Sequence, residues 1–216
     1  LGWINLPSSL LPAWRGAAPV QHSLIAGDPV TGASVFQLVA AMDAGDVFAM
    51  REFVPAKDAT AGSVLDDLAI LGAELLGEVV DALGAGTAVG TPQVGEPTFA
   101  PQLSAEDGRV RWAEPAARVL ARIHGTTPEP GAHTRIAGAR LKLLEAFTPD
   151  EAPTLRPGEF ALDAGQLFVG TGTTAIGLRR VQPDGKSAMD AAAWWRGLRT
   201  DTLEAELWSP DLDERA

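Results

Sequence analysis

The chain has 216 residues, enough for one large domain or two small ones, and 46% of them are hydrophobic, so a sizeable core can be buried. It contains no cysteine, which excludes both a disulfide framework and a thiolate metal site. No apolar run approaches the ~18 residues of a membrane span, and the chain opens on no signal-peptide pattern. The net charge is −11, unfavourable at first sight for nucleic-acid binding, but it is unevenly spread. Residues 1–90 carry three Lys/Arg against ten Asp/Glu, residues 109–199 carry thirteen against nine, and residues 200–216 carry one against six. A basic middle between acidic ends permits a local phosphate-binding face, although an ordinary solvated surface gives the same count.

In chain order, Gly2-Trp3-Ile4-Asn5 reads as the end of a buried strand. Such an abrupt start gives the expectation that further residues precede Leu1 in the natural protein. Residues 17–26 read as a helix, with Pro19 tolerated in its first turn. Residues 33–39 and 47–54 are rich in β-branched and aromatic side chains and read as strands, joined by a tight connection at 40–46. Leu65, Leu68, Gly72, Leu75, Val79 and Leu83 recur at helical spacing, which predicts a long helix from an N-cap at Thr60 to Gly84. This order suggests the second half of an α/β domain.

From 84 to 108 no periodicity survives and Gly, Pro, Thr and Gln dominate, so the stretch reads as a linker. A helix is expected near 115–124. Short β-like runs follow at 134–136, 140–147, 159–162, 166–169 and 175–181, with turn signals at Ala137-Gly138, Asp163-Ala164-Gly165 and Pro183-Asp184-Gly185. Short strands at this spacing suggest a small barrel, and 190–198 reads as a terminal helix. The expected division is residues 1–88, a connector at 89–108, and residues 109–216.

The most specific stretch runs from Asn5 to Gln21. It contains Ser9-Leu10-Leu11-Pro12, Trp14-Arg15-Gly16 and Ala17-Ala18-Pro19-Val20-Gln21, followed by Met42-Asp43-Ala44-Gly45-Asp46. This pattern resembles the methionyl-tRNA formyltransferase family, which uses 10-formyltetrahydrofolate. Past the linker, Pro128-Glu129-Pro130-Gly131-Ala132 and Gln182-Pro183-Asp184-Gly185-Lys186-Ser187-Ala188-Met189 resemble the family's C-terminal tRNA-binding domain. The resemblance implies the C-terminal half of a Rossmann-like formyltransferase domain followed by a small OB-like β-barrel domain. It also implies a cytoplasmic, monomeric enzyme with no metal. Its partners would be initiator methionyl-tRNA and the folate formyl donor. An enzyme that formylates an amino sugar shares only the first domain, so the C-terminal match tells against it.

Transfer of a formyl group to an amine needs a hydrogen-bond donor for the developing oxyanion and a group to take the amine's proton. In the family an Asn, a His two residues later and a distant Asp supply these. By resemblance Asn5 is the donor and Asp43 the carboxylate that orients the His. Ser9, Leu10, Leu11 and Pro12 resemble the folate-binding loop. Arg15 either pairs with substrate or braces that loop, and Lys186 is a substrate contact. The chain departs from the pattern in the middle of the triad. Pro7 stands at the His position and offers neither a side-chain donor nor a base. His22 is the nearest imidazole in sequence and reads as an ordinary polar helix residue. Losing one oxyanion-type donor costs roughly 10²–10³ in rate, so the chain is expected to be an impaired formyltransferase or an inactive tRNA- or folate-binding relative. Two further positions lose a fixed positive charge, Gln102 and His124. Arg140, Lys142, Arg179, Arg180 and Lys186 remain as candidate phosphate contacts, and His133 receives no role.

Overall fold

In the computed structural model, which describes residues 2–200 and 202–208, the chain divides into two compact units, 1–103 and 104–216. The first unit is built on a three-stranded antiparallel sheet. Its central strand β3 (Thr31–Gln37) lies between β1 (Ile4–Asn5) and β4 (Val47–Phe53). Residues 31–36 of β3 are all buried, because one face of the strand meets a helix and the other meets the segment that follows β1. A parallel pair, β2 (Arg15–Gly16) with β5 (Phe99–Ala100), sits beside it.

Helix α1 (Pro19–Ala26) begins with Pro at a position whose N–H would be unpaired in any case. It stops at Gly27, whose left-handed φ of 82° lets its N–H reach the carbonyls of Ser23 and Leu24. Helix α2 (Ala61–Gly84) starts with a reciprocal capping box between Thr60 and Ser63. Its buried face is Ala61, Val64, Leu68, Gly72, Leu75 and Val79. Leu65 and Leu83, expected in that stripe, lie exposed: the i, i+4 row runs through Val64 rather than Leu65. Leu75 and Val79 pack with Ala33 and Val35 of β3 and with Ile4 and Leu6. Gly72 is where Leu6 approaches the helix, since a Cβ there would lie 3.0 Å from Leu6 Cδ2.

The stretch 89–108 is not a free connector. Thr91 exchanges two backbone hydrogen bonds with Val47, at 2.8 and 2.9 Å. Arg15 N donates to Thr98 O, and the amides of Ala17 and Ala18 both donate to Ala100 O. Residues up to Leu103 therefore belong to the first unit. Sequence composition alone gives no sign of these pairings, because none involves a periodic side-chain pattern.

The second unit is a barrel-like sheet in the order β12-β8-β9-β10-β7-β6. Its strands are β6 (His133–Ile136), β7 (Ala139–Phe147), β8 (Glu159–Asp163), β9 (Gln166–Val169), β10 (Ile176–Pro183) and β12 (Leu203–Glu204). The short β11 (Met189–Asp190) pairs with β10. The two ends of the path meet where Glu206 N donates to Arg135 O at 2.8 Å. The expected Ala137-Gly138 and Ala164-Gly165 turns are present. Both carry two consecutive positive φ angles, 48° and 81° in the first and 46° and 79° in the second. That geometry matches the right-handed twist of a two-residue hairpin.

Helix α3 (Ala116–Gly125) supplies Val119, Leu120 and Ile123 to the core. Helix α4 (Ala191–Leu198) adds Trp194 and Trp195, with Asp190 as its cap: the Asp190 carboxylate accepts from Ala193 N at 2.7 Å. The indole of Trp112 is fully buried and its N–H donates to Thr134 Oγ1 at 2.9 Å. This satisfies the one polar atom the ring carries inside.

Candidate functional site

The motif residues of the first unit gather on the loops around β3. The segment Leu6 to Pro12 is fastened to that strand by one side chain. Ser34, fully buried, donates its hydroxyl to Ser9 O at 2.6 Å and accepts from Leu11 N at 3.1 Å, while its own amide donates to Pro7 O at 3.2 Å. Leu10 O accepts from Ala13 N. The loop's polar backbone atoms are thus largely engaged within the fold. Ser9 and Leu11 are themselves buried, Leu11 against Phe36 and Val47. Through Ser9 O and Leu11 N, both held by the Ser34 hydroxyl, these two residues tie the loop to β3. Leu10 and Pro12, half-buried, are the members of the quartet with surface to offer. The Ser9 hydroxyl is buried without a partner.

Asp43 sits at the tip of the β3–β4 loop in a left-handed conformation, φ 47°, where a short polar side chain is tolerated. The loop is closed by Gln37 N donating to Asp46 O at 2.8 Å. Gly45 is required here because a Cβ would fall 1.7 Å from Gln37 O. The Asp43 carboxylate accepts from Gly16 N at 2.9 Å, so it fixes the Trp14-Arg15-Gly16 loop.

Arg15 Nη2 donates to Gln93 Oε1 at 2.6 Å, and Gln93 Nε2 donates to the carbonyls of Asp43 and Gly45 at 2.8 and 2.9 Å. Arg15 therefore braces the loop, and its buried Nε has no partner. Asn5, exposed at the end of β1 and paired through its backbone with Phe36, makes no side-chain hydrogen bond. Among the described residues nothing links its amide directly to Asp43.

No imidazole fills the place of the missing triad member. The ring of His22 stacks on Trp14, centroids 5.7 Å apart, and its Nε2 lies 2.9 Å from Pro101 O. Trp14 is in turn fixed by its indole N–H donating to Asp28 at 2.7 Å. His124 and His133 belong to the second unit and face Ala146 O and Gly131 O, each at 3.0 Å. Among the described residues no group of three or more His, Asp or Glu is placed to hold a metal, and no helix is long and apolar enough to cross a membrane.

In the second unit the candidate cations divide. Arg180 pairs with Glu145 at 3.5 Å, and the Arg179 guanidinium lies 4.1 Å from the centroid of the Phe147 ring. Lys186 is exposed on the β10–β11 turn. On the β6–β7 hairpin His133 stands opposite Lys142, and Arg135 opposite Arg140. Like charges directly opposite on a sheet are destabilising, and Arg140 Nη2 also lies 3.1 Å from His133 Nδ1. Arg135 was not among the candidate cations read from the sequence. The Ala137-Gly138 turn contained the signal, because a two-residue hairpin sets 135 against 140.

Burial holds the His133 imidazole below its ordinary pKa; the Gly131 carbonyl opposes this, and the Arg140 charge adds to it.

Comparison with known proteins decides the family. Residues 1–80 match the model described as formyl transferase, and residues 102–199 match that described as formyl transferase, C-terminal domain. The chain belongs to the formyl transferase family. It is 57% identical to the methionyl-tRNA formyltransferase of Clavibacter sepedonicus over 204 residues, which are 94% of this chain and 67% of that protein. It is 53% identical to that of Leifsonia xyli over 196 residues, 91% and 65% of the two chains. This formyl transferase chain thus spans about two thirds of the length of the curated relatives it matches. Among solved structures, HypX from Aquifex aeolicus matches with a TM-score of 0.73 at 23% identity, covering 90% of this chain and 35% of that one. An N-formyltransferase from Helicobacter canadensis, solved with folinic acid and dTDP-3-aminofucose, matches at 0.67 and 12% identity over 81% and 65% of the chains. At these identities the structural matches bear on the fold alone.

Two outcomes follow. Ser34→Ala removes the donor to Ser9 O and the acceptor for Leu11 N, both buried. Each unsatisfied group costs about 1–3 kcal/mol, so urea unfolding of the first unit should show a loss of about 2–6 kcal/mol. For His133, the unfolded ring takes up its proton near pH 6.5 while the folded ring does so at a lower pH. Stability of the second unit is therefore greatest above pH 6.5 and declines as pH falls below it, levelling once the folded ring is also charged. His133→Asn should flatten that decline in denaturation curves taken from about pH 7.5 down to about pH 5.

Proposed function

We propose that this chain is part of an enzyme that transfers a formyl group from 10-formyltetrahydrofolate to the α-amine of methionyl initiator tRNA, and that Pro7 impairs it. The observation that carries the reading is that Asp43 and the Arg15-Gly16 loop are locked together at 2.9 Å while position 7, between them and Asn5 in the motif, holds no side-chain donor or base. The identity of 57% to a methionyl-tRNA formyltransferase supports the substrate class.

The folate would supply the formyl carbon and an oxygen that gains negative charge as the amine attacks, and its own carbon–nitrogen bond to the formyl group would break as tetrahydrofolate leaves. In this reading Leu10 and Pro12 offer the loop's remaining apolar surface to the folate ring. The unencumbered amide of Asn5 donates toward the developing oxyanion. The Asp43 carboxylate, already aligned by Gly16 N, serves as the final acceptor in proton removal. Without an imidazole there is no group to relay the proton to it. The Arg15 guanidinium has no carboxylate partner among the described residues and keeps donors for an anionic group of the substrate.

On the second unit Arg135, Arg140, Lys142 and Lys186 are the contacts we assign to tRNA phosphates, by charge neutralisation rather than base reading. Such a protein would work as a cytoplasmic monomer. The second reading is a degenerate relative that binds tRNA or folate without transfer, and what favours it is the engagement of all three His rings elsewhere.

The deciding experiment assays single-turnover formylation of methionyl initiator tRNA by the longest natural polypeptide that contains these residues, with and without Pro7→His. Restoring the ring should raise the rate by roughly 10²–10³. Equal rates in the two proteins at an ordinary enzymatic value would refute the impairment, and two equally silent proteins would favour the binding module.

A further inference from the structure

We propose that Gln93 is a positioning residue that sets the Asp43 carboxylate for the chemistry of this site. The inference rests on the reading above for the role of Asp43 and adds a residue that lies between the two matched family ranges, 1–80 and 102–199.

A carboxamide offers one acceptor oxygen and two N–H donors. Gln93 uses all three on one side of the site: Oε1 accepts from Arg15, and Nε2 donates to Asp43 O and Gly45 O. The assignment of its nitrogen and oxygen is unambiguous, because the flipped amide would turn its oxygen toward two carbonyls and its donors toward a guanidinium. The side chain therefore has a single orientation. It ties together three loops that lie 78 and 50 residues apart in sequence.

What it holds is the part of the chain with least intrinsic preference for its shape. Asp43 is a non-glycine residue at φ 47°, a conformation that persists only where the surroundings impose it. Gln93 fixes the carbonyl of that residue, and Gly16 N fixes its carboxylate. Gln93 touches no reacting group: it acts through Asp43 and Arg15. Its own segment is anchored independently, by Thr91 to Val47 and by Thr98 to Arg15 and Pro12. Loss of the carboxamide should thus release the Asp43 loop without unfolding the unit.

The test uses the Gly16 amide of the 216-residue chain as its spectroscopic readout, because that proton reports the Asp43 carboxylate directly. Gln93→Glu keeps an acceptor for Arg15 and loses both donors, and Gln93→Leu loses all three contacts. We expect both variants to keep a single cooperative urea transition, the Gly16 proton resonance to move upfield toward its unbonded position, and its hydrogen exchange to accelerate about tenfold or more, equivalent to about 1.4 kcal/mol. Gln93→Asn, one methylene shorter, should fail to rescue. In the Pro7→His protein, kcat should fall about tenfold. An unmoved Gly16 amide in Gln93→Glu and Gln93→Leu overturns the proposal, and so does a moved amide with unchanged kcat. If no protein formylates, the catalytic reading fails separately, and the amide signature still decides whether Gln93 positions Asp43.

Discussion

A loop that carries chemistry must bury backbone polar groups without a strand or helix to pair them, and here one hydroxyl resolves that conflict. Ser34 Oγ, on the central strand of the first unit, both gives to Ser9 O and takes from Leu11 N. Everything else around the site is arranged from that fixed point. With residues 9–11 held to β3, Leu11 enters the core beside Phe36 and Val47, and Leu6 settles over Gly72 of the long helix. Beyond the loop, Trp14 N donates to the Thr98 hydroxyl and Arg15 pairs with Phe99. The Gly16 amide is then presented to Asp43 from a backbone already tied at both ends.

This explains how the scaffold tolerates proline at position 7. The hydrogen bond residue 7 makes uses its carbonyl, which accepts from Ser34 N, and proline retains that group while lacking the N–H. The fold therefore gains nothing from an imidazole there, and function alone would. The consequence is a site whose frame is set independently of the residue that would complete it. Leu6 packs against Leu75 and Val79 of the long helix, and Leu11 against Phe36 and Val47. Position 7 can thus be exchanged without disturbing the anchors on either side.

The sequence made some levels of this structure legible and hid others for physical reasons. The hairpin turns were readable because Ala137-Gly138 and Ala164-Gly165 are local chemistry, decided by two φ angles each. The capped start of α2 at Thr60 was readable for the same reason. Asn5, Asp43 and Arg15 could be named by resemblance to a family, and that family is the one the comparisons support. Their partners could not be named. Ser34 lies 25 residues from Ser9, and Gln93 lies 78 from Arg15. A lone Ser in a strand or a lone Gln in a Pro-rich stretch carries no periodic signal. The burial of the Ser9 and Leu11 side chains was hidden as well, because the sequence of a short loop does not reveal which face the core claims. In the second unit a count of basic residues could not separate Arg180, which is paired with Glu145, from Arg135, which opposes another arginine.

The frame of the site is preset by side chains on β3 and its following loop, with no help from the side chain of residue 7. Native-state hydrogen exchange of the Leu11 and Gly16 amides in the unaltered chain tests it directly, since these protons donate to Ser34 Oγ and to the Asp43 carboxylate. The account predicts that both are protected, with Leu11 opening together with the buried amides of β3. Exchange of either proton at the rate of an unstructured peptide would contradict it.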